Sequence, residues 1–422
     1  MRIKLETNES IPPMPATARR RLDLPRYGAY AAVVAAAGIP LYIHLPAFVA
    51  ARYGIGLEVL GVLLLAMRLI DFVQDPGLGW VLSRFGARRD RVAGLAALGL
   101  GAGMFGLFAV DAPVTPLLWV TLCLMLTFTG FSLLTILIYA DGVARGGRDA
   151  QVQVAAWREA GALVGITAAC LLPFALPGEG YAGFAVAFVL VLAIAGWAMR
   201  GRWRPIEIPP APLAPLFRDA VLRRFLLLAF LNAAPVAVTS TLFLFFVEAR
   251  LELPDLTGAF LVLFFLAAAG STVLWRALAL RIGAAQTLGT GMGLAIASFV
   301  WAYTLGPGDG VAFAVICLVS GAALGADMML LPALFSSHQA QSGGDPALGF
   351  GFWSFAAKAT LAISAGVVLP LLGWAGFAPG AVNSPDALMA LSAAYALLPV
   401  VLKIAALVML LRLRPILAGL AV

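Results

Sequence analysis

Charge is scarce in this sequence. Of its 422 residues only 12% are Asp, Glu, Lys or Arg, while 62% are hydrophobic. An ordinary soluble domain carries about 25% charged residues. A water-borne chain of this composition would expose more apolar surface than a monomer tolerates. Soluble enzymes and nucleic-acid readers are therefore excluded, and the solvent is a lipid bilayer. Histidine is nearly absent, with two residues, and cysteine numbers three. Cys123, Cys170 and Cys317 lie far apart inside apolar runs, without the spacing of a metal site. They read as small core residues, and neither a structural metal nor a cofactor is expected. No phosphate-cradling loop with its lysine and no Ser-His-Asp order is present, so the chain is not read as an enzyme. The stretches Gly99-Leu-Gly101-Ala-Gly103 and Gly289-Thr-Gly291-Met-Gly293 sit inside apolar runs, where closely spaced small residues serve helix packing. The first 26 residues are polar and basic, with no apolar core ahead of the first run. They are not expected to be a signal peptide.

Apolar runs fill the space that charge leaves. A helix needs about 20 mostly apolar residues to cross a bilayer. Twelve such runs follow one another, at roughly 27–50, 57–82, 91–111, 115–140, 155–177, 181–200, 222–248, 256–280, 286–306, 310–337, 350–375 and 386–412. The longest connection, 201–221, holds Pro205, Pro209, Pro210, Pro212 and Pro215, which stop any helix. The expected organisation is a tail (1–26), a six-helix half (27–200), a linker (201–221), a second six-helix half (222–412) and a tail (413–422). The fold class is an all-α membrane protein of twelve transmembrane helices.

Basic residues give this plan its orientation. Twenty-two Lys and Arg fall in the tails and in the even-to-odd connections, against Arg52 and Arg250 alone on the opposite side. Basic loops stay cytoplasmic, so both termini are expected inside a bacterial inner membrane. The net charge of +7 is thereby a topology signal, and no nucleic-acid partner is expected. The halves also repeat. Arg84-Phe-Gly-Ala87 returns as Arg281-Ile-Gly-Ala284, and Ile166–Pro173 returns as Ile363–Pro370, both at a shift of 197 residues. Two matches at one shift argue for duplication, and transporters built of two halves hold their site between them near the midplane.

The charges that remain inside the runs carry the chemistry. Each costs about 2.5–3.5 kcal/mol at a helix centre on insertion scales, so each needs a partner or a purpose. The second run reads Arg68-Leu-Ile-Asp71-Phe-Val-Gln-Asp75-Pro76, and positions 68, 71 and 75 share one helical face. Two carboxylates one turn apart repel unless a cation or a proton lies between them, and Arg68 neutralises only one. Pro76 also leaves the Phe72 carbonyl without its helical donor. Asp71 and Asp75 are thus candidate ligands of Na⁺ or H⁺, with Arg68 as a charge partner. The alternative is that the three fix helix packing. Lys358, in the eleventh run behind Trp353, has no acid nearby in its own helix, so its expected partners are these aspartates. A lysine that snorkels to the membrane edge is the alternative. Asp327 lies in the apolar stretch from Gly321 to Leu331 and suits either substrate contact or a structural hydrogen bond. Arg158-Glu159 opens the fifth run as an ion pair, and His44 reads as a packed or interfacial histidine.

These residues resemble a known family. Gly79-Trp-Val-Leu-Ser83-Arg84-Phe-Gly86-Ala-Arg88-Arg89 resembles the helix 2–3 loop signature of the major facilitator superfamily, and departs from it at Ser83, where the family has Asp. Arg68-x-x-Asp71-x-x-x-Asp75-Pro76-x-x-Gly79 is similar to the helix 2 signature of the glycoside–pentoside–hexuronide:cation symporters. Tyr139-Ala140, Trp157-Arg158 and Lys358 match as well. The resemblance implies the major facilitator fold, cation binding at Asp71 and Asp75 with Lys358 near them, and a gating loop of Arg84, Gly86, Arg88 and Arg89. Thr135, Tyr139, Arg158, Asp327 and Trp353 are candidates for lining the substrate cavity. The family's charged pair on helix 1 is replaced by Val34-Ala35, and its helix 4 acid has no counterpart nearer than Thr135.

The reading is a secondary active transporter, monomeric, coupling Na⁺ or H⁺ to the symport of a small organic solute such as a sugar or glycoside. The alternatives are a proton-coupled exporter or carrier of hydrophobic or amphipathic compounds, and a membrane sensor that kept the fold and lost transport. A sensor has no need of two acids in one helix. The topology is directly testable: reporter fusions after Arg204 and after Arg414 should both read cytoplasmic, and a readout from the opposite side at either point contradicts the twelve-run plan.

Overall fold

The computed structural model describes residues 23–38, 45–55, 57–147, 150–175, 180–204, 219–379 and 381–417. His44 and most of the proline-rich linker lie outside them. Among the described residues the chain is helical throughout, in the expected order. We label α1 (Leu24–Ala36 and Leu45–Tyr53), α2 (Leu57–Arg84), α3 (Arg89–Ala109), α4 (Pro116–Gly146), α5 (Gln151–Ala175), α6 (Gly180–Met199), α7 (Ala220–Phe245), α8 (Thr257–Ile282), α9 (Ala284–Ala302), α10 (Gly310–Ser342), α11 (Pro346–Trp374) and α12 (Pro385–Ser392, continuing as Leu398–Leu417). Eight of the described helices are long and apolar enough to cross a membrane by length and composition alone. The second run falls outside that set because Arg68, Asp71, Asp75 and Arg84 dilute its apolar character.

The lipid-facing surface shows in what is left exposed. Leu95 and Leu98 on α3, Trp197 on α6, and Val273, Leu274 and Leu280 on α8 are each 70% or more exposed. Such a band is untenable in water and needs no partner in hydrocarbon. Inside, α1 packs on α5 and α6, and α3 on α4 and α6; across the molecule α7 packs on α11 and α12, and α10 on α8 and α9. The two sets meet where α2 lies against α11, and where α5 lies against α8 and α10.

The basic end of the bundle is shut. Helices α2 and α11 cross there glycine on glycine. A Cβ on Gly79 would lie 2.7 Å from the Ala347 carbonyl oxygen, and one on Gly351 would lie 2.8 Å from that of Asp75. Helix α11 starts at Asp345, whose carboxylate caps the backbone N–H groups of Ala347 (2.9 Å) and Leu348 (3.3 Å), with Pro346 in the position that needs no donor. The segment leaving α6 is tied down by the neighbouring helix ends. Asp141 takes both the Arg145 guanidinium and the Arg204 N–H, Arg145 donates to the Arg202 carbonyl, and Arg89 donates to the Arg204 carbonyl at 2.9 Å. Toward the other end, Val62 and Leu65 of α2 and Ile363 and Val367 of α11 are exposed.

Closure by bare glycine leaves no slack for a side chain, and overpacking of this kind costs about 1–3 kcal/mol. Gly79→Val should therefore part α2 from α11. A Leu348→Cys reporter, fully buried in the parent, should then react with a polar thiol reagent added on the basic side, in a background with the native cysteines replaced by serine. Unchanged protection of Leu348→Cys would show that the crossing does not depend on these glycines.

Candidate functional site

Helix α2 carries Asp71 and Asp75 one turn apart, and both side chains are buried, at 4% and 0% exposure. They point at α11. The Lys358 ammonium lies 2.9 Å from Asp71 Oδ1 and 3.0 Å from Asp75 Oδ2, so one lysine bridges both acids. It is also 2.6 Å from Ser132 Oγ on α4, and that hydroxyl donates to Asp71 Oδ1 at 2.7 Å. Ser354, one turn before Lys358 on α11, donates to Asp75 Oδ2. Gln74 donates to Asp71 at 3.4 Å and accepts from Thr129 of α4 at 3.0 Å. Phe72 and Phe355, at 5.5 Å between ring centroids, close one side of the cluster.

The arrangement joins three helices, α2, α4 and α11, through one polar knot. Its described charges do not balance, since two carboxylates face one ammonium. The surplus negative charge in a low-dielectric interior is an invitation to a proton or a cation. The side chain of Arg68, the other expected charge partner, lies outside the described residues. Ser132, Ser354 and Gln74 were not among the residues singled out from sequence. Ser354 had a signal, standing four residues before Lys358 and so on its face; Ser132 had none, because a serine in an apolar helix is common.

The other candidates lie in separate places. Thr135 donates to the Phe131 carbonyl of its own helix. Tyr139 donates to Glu159 at 2.9 Å, and Arg158 pairs with Glu159 at 2.7 Å while lying 3.7 Å over the Tyr139 ring. The expected Arg158–Glu159 pair is therefore present, with α4 drawn into it. Trp353 stacks on Phe335 at 4.9 Å, and Phe350 touches Tyr139 at 4.9 Å and Phe335 at 5.0 Å. An aromatic wall thus runs between α4, α10 and α11 on the basic side of Lys358. Asp327 faces away into its own half, where its partner is Lys403 of α12, a lysine the sequence reading left inside the last apolar run.

At the helix 2–3 loop, Arg84 and Arg88 are exposed while Gly86 and Arg89 are buried. Arg89 lies within the electrostatic reach of Asp141 and Asp345, one acid from each half. Ser83 donates to the Asp345 carboxylate. The acid missing at position 83 is supplied from the opposite side of the same contact, as the N-cap of α11.

Lys358→Met should destabilise the protein by about 3–5 kcal/mol, because it leaves buried carboxylates without their cation. Combining it with Asp71→Asn and Asp75→Asn should recover most of that loss, read by thermal unfolding in detergent. If Lys358→Met alone unfolds at the parent temperature, the aspartates are not both charged in the folded protein.

Comparison with known proteins places the fold. A bacterial homologue of the iron transporter ferroportin, in an outward-facing state, superposes with a TM-score of 0.70 at 15% identity, covering 91% of this chain and 99% of that one. The E. coli fucose:proton symporter gives 0.65 at 15% identity, covering 92% and 99%. The human organic anion transporter gives 0.63 at 18%, covering 93% and 99%. These likenesses establish the fold, which is that of the major facilitator superfamily with its twelve helices in two six-helix halves. No curated protein matches by sequence. The pattern of the MFS/sugar transport protein family matches residues 26–416, nearly the whole chain, and the protein belongs to that family, the melibiose-permease-like branch of the superfamily: a multi-pass membrane transporter and not an enzyme.

Proposed function

We propose that this transporter is a cation-coupled symporter of a small organic solute, with Asp71 and Asp75 as the cation ligands. The observation that supports the reading is the position of the Lys358 ammonium, within 3.0 Å of both acids and 2.6 Å from Ser132 Oγ. It stands where a bound cation would stand. Na⁺ or H⁺ would compete for the same oxygens, and its arrival would release Lys358 and weaken the tie between α2 and α11. Coupling then follows as linkage, because the ion favours one arrangement of the two helices and the solute favours the same one. The six-helix halves 27–200 and 222–412, joined by the linker 201–221, would move as the two bodies. The shut basic end, with both termini on the cytoplasmic side of a bacterial inner membrane, corresponds to a state open to the outside. The chain acts as a monomer, with no cofactor beyond the coupling ion.

A second reading, a carrier of amphipathic compounds, draws on the aromatic wall of Tyr139, Phe335, Phe350 and Trp353 and on Thr135, whose hydroxyl is spent on its own helix. Uptake into proteoliposomes under imposed Na⁺ or H⁺ gradients, screened over sugars, glycosides and lysolipids, decides between them. Asp71→Asn with Asp75→Asn should abolish uphill accumulation and leave downhill exchange of the solute. Full accumulation by that double variant would overturn the symporter reading.

A further inference from the structure

The C-terminal helices bury a second ionic cluster that the coupling scheme does not use. Lys403 of α12 pairs with Asp327 Oδ2 of α10 and donates to Asn232 Oδ1 of α7 at 2.7 Å. The three residues are 3%, 6% and 5% exposed. Asp327 Oδ1 is buried and makes no hydrogen bond of normal geometry among the described residues, although the Asn232 side chain also lies against this carboxylate. An acceptor left so inside a bundle is costly unless something reaches it. There is room for that. Asp327 and Lys403 line a cavity of about 30 Å³, where one water needs roughly 10–15 Å³.

The lining selects the occupant. Pro235, Phe264, Ile296 and Phe299 make the walls apolar. Thr239 and Ser320 also line the cavity, and their hydroxyls donate to the Val236 and Ile316 carbonyls of their own helices. They present lone pairs, as Asp327 Oδ1 does, and Lys403, also in the lining, keeps one N–H beyond its bonds to Asp327 and Asn232. A water fits, donating to these acceptors and accepting from Lys403. A metal ion needs about six oxygen ligands, and the described lining offers one carboxylate and the hydroxyls of Thr239 and Ser320. A proton needs no coordination shell and adds to Oδ1 while Oδ2 still accepts from Lys403. Among the lining residues, α7, α8 and α9 contribute no ionisable side chain, α10 contributes Asp327 and α12 contributes Lys403.

We propose that Asp327, held by Lys403 and Asn232, is a second proton-binding site, reached through water in the cavity between α7, α8, α9, α10 and α12. A hydronium ion there gives its proton to Oδ1, forming one O–H bond and leaving a water, while Lys403 keeps its own proton and its bond to Asn232. The cluster passes from neutral to singly positive, which weakens the hold of α12 on α10. The site is independent of the helix 2 acids and of the symport reading.

The test therefore uses purified protein in which Asp71→Asn, Asp75→Asn and Lys358→Met together have removed the first site. Infrared difference spectra on acidification should show the C=O stretch of a buried protonated carboxyl, and that component should shift promptly in heavy water. Adding Asp327→Asn should remove it. If that variant does not fold, Asp327→Asn with Lys403→Gln removes both charges of the pair at similar volume and serves the same purpose. Superimposable spectra with and without Asp327 would overturn the site, and a component that fails to shift in heavy water would overturn the water route. Neither result would bear on uptake driven through Asp71 and Asp75.

Discussion

Everything at the centre of this protein follows from one constraint: an interior of low dielectric cannot hold two carboxylates against the one ammonium described beside them without further relief. Asp71 and Asp75 are buried on one turn of α2, and Lys358 spans both. Hydrogen bonds from Ser132, Ser354 and Gln74 spread the charge, but they do not cancel it. Attraction within such a cluster is strong, and so is the penalty for losing any member. Under the proposed symport, a cluster in that condition would respond to cation concentration and to pH.

The fold places the cluster where its response can move something. Asp75 stands one turn from Gly79, and Lys358 two turns from Gly351, the residues at which α2 and α11 touch backbone to backbone. The Ser83–Asp345 contact and the buried Arg89 lie at the end of the same seam. The ionic knot and the closed end are thus parts of one helix pair, so a change in the knot is felt at the seam without an intervening wire. The C-terminal half keeps its own pair, Asp327–Lys403, away from that seam and behind the wall of α7 and α10.

Much of this was legible in the sequence, for physical reasons. Long apolar runs have one stable form in a bilayer, so the twelve helices and their order could be read off. Spacing of three and four residues fixed Arg68, Asp71 and Asp75 to one face, and the absence of an acid near Lys358 in its own helix pointed it to α2. What the sequence hid was polar pairing across helices. Ser132 and Thr129 look like ordinary small residues until α4 is laid beside α2. Lys403 passed as part of an apolar run, although an intramembrane lysine always asks for an acid, and Asp327 was the unassigned acid available. Ser83 read as the loss of a gating carboxylate; in the structure its hydroxyl donates to Asp345, the cap of a helix that is remote in sequence.

The central claim is that Lys358 occupies the place of the coupling ion. The chain contains only three lysines, Lys4, Lys358 and Lys403, so the reactivity of each amine can be followed separately by mass spectrometry after reductive methylation. Measured against a free-amine standard, Lys358 should be protected in cation-free buffer and should become reactive as Na⁺ is added or as the pH is lowered, whichever ion the site takes, while Lys403 stays protected throughout the Na⁺ titration. Reactivity at Lys358 that stays flat under both titrations would contradict the account.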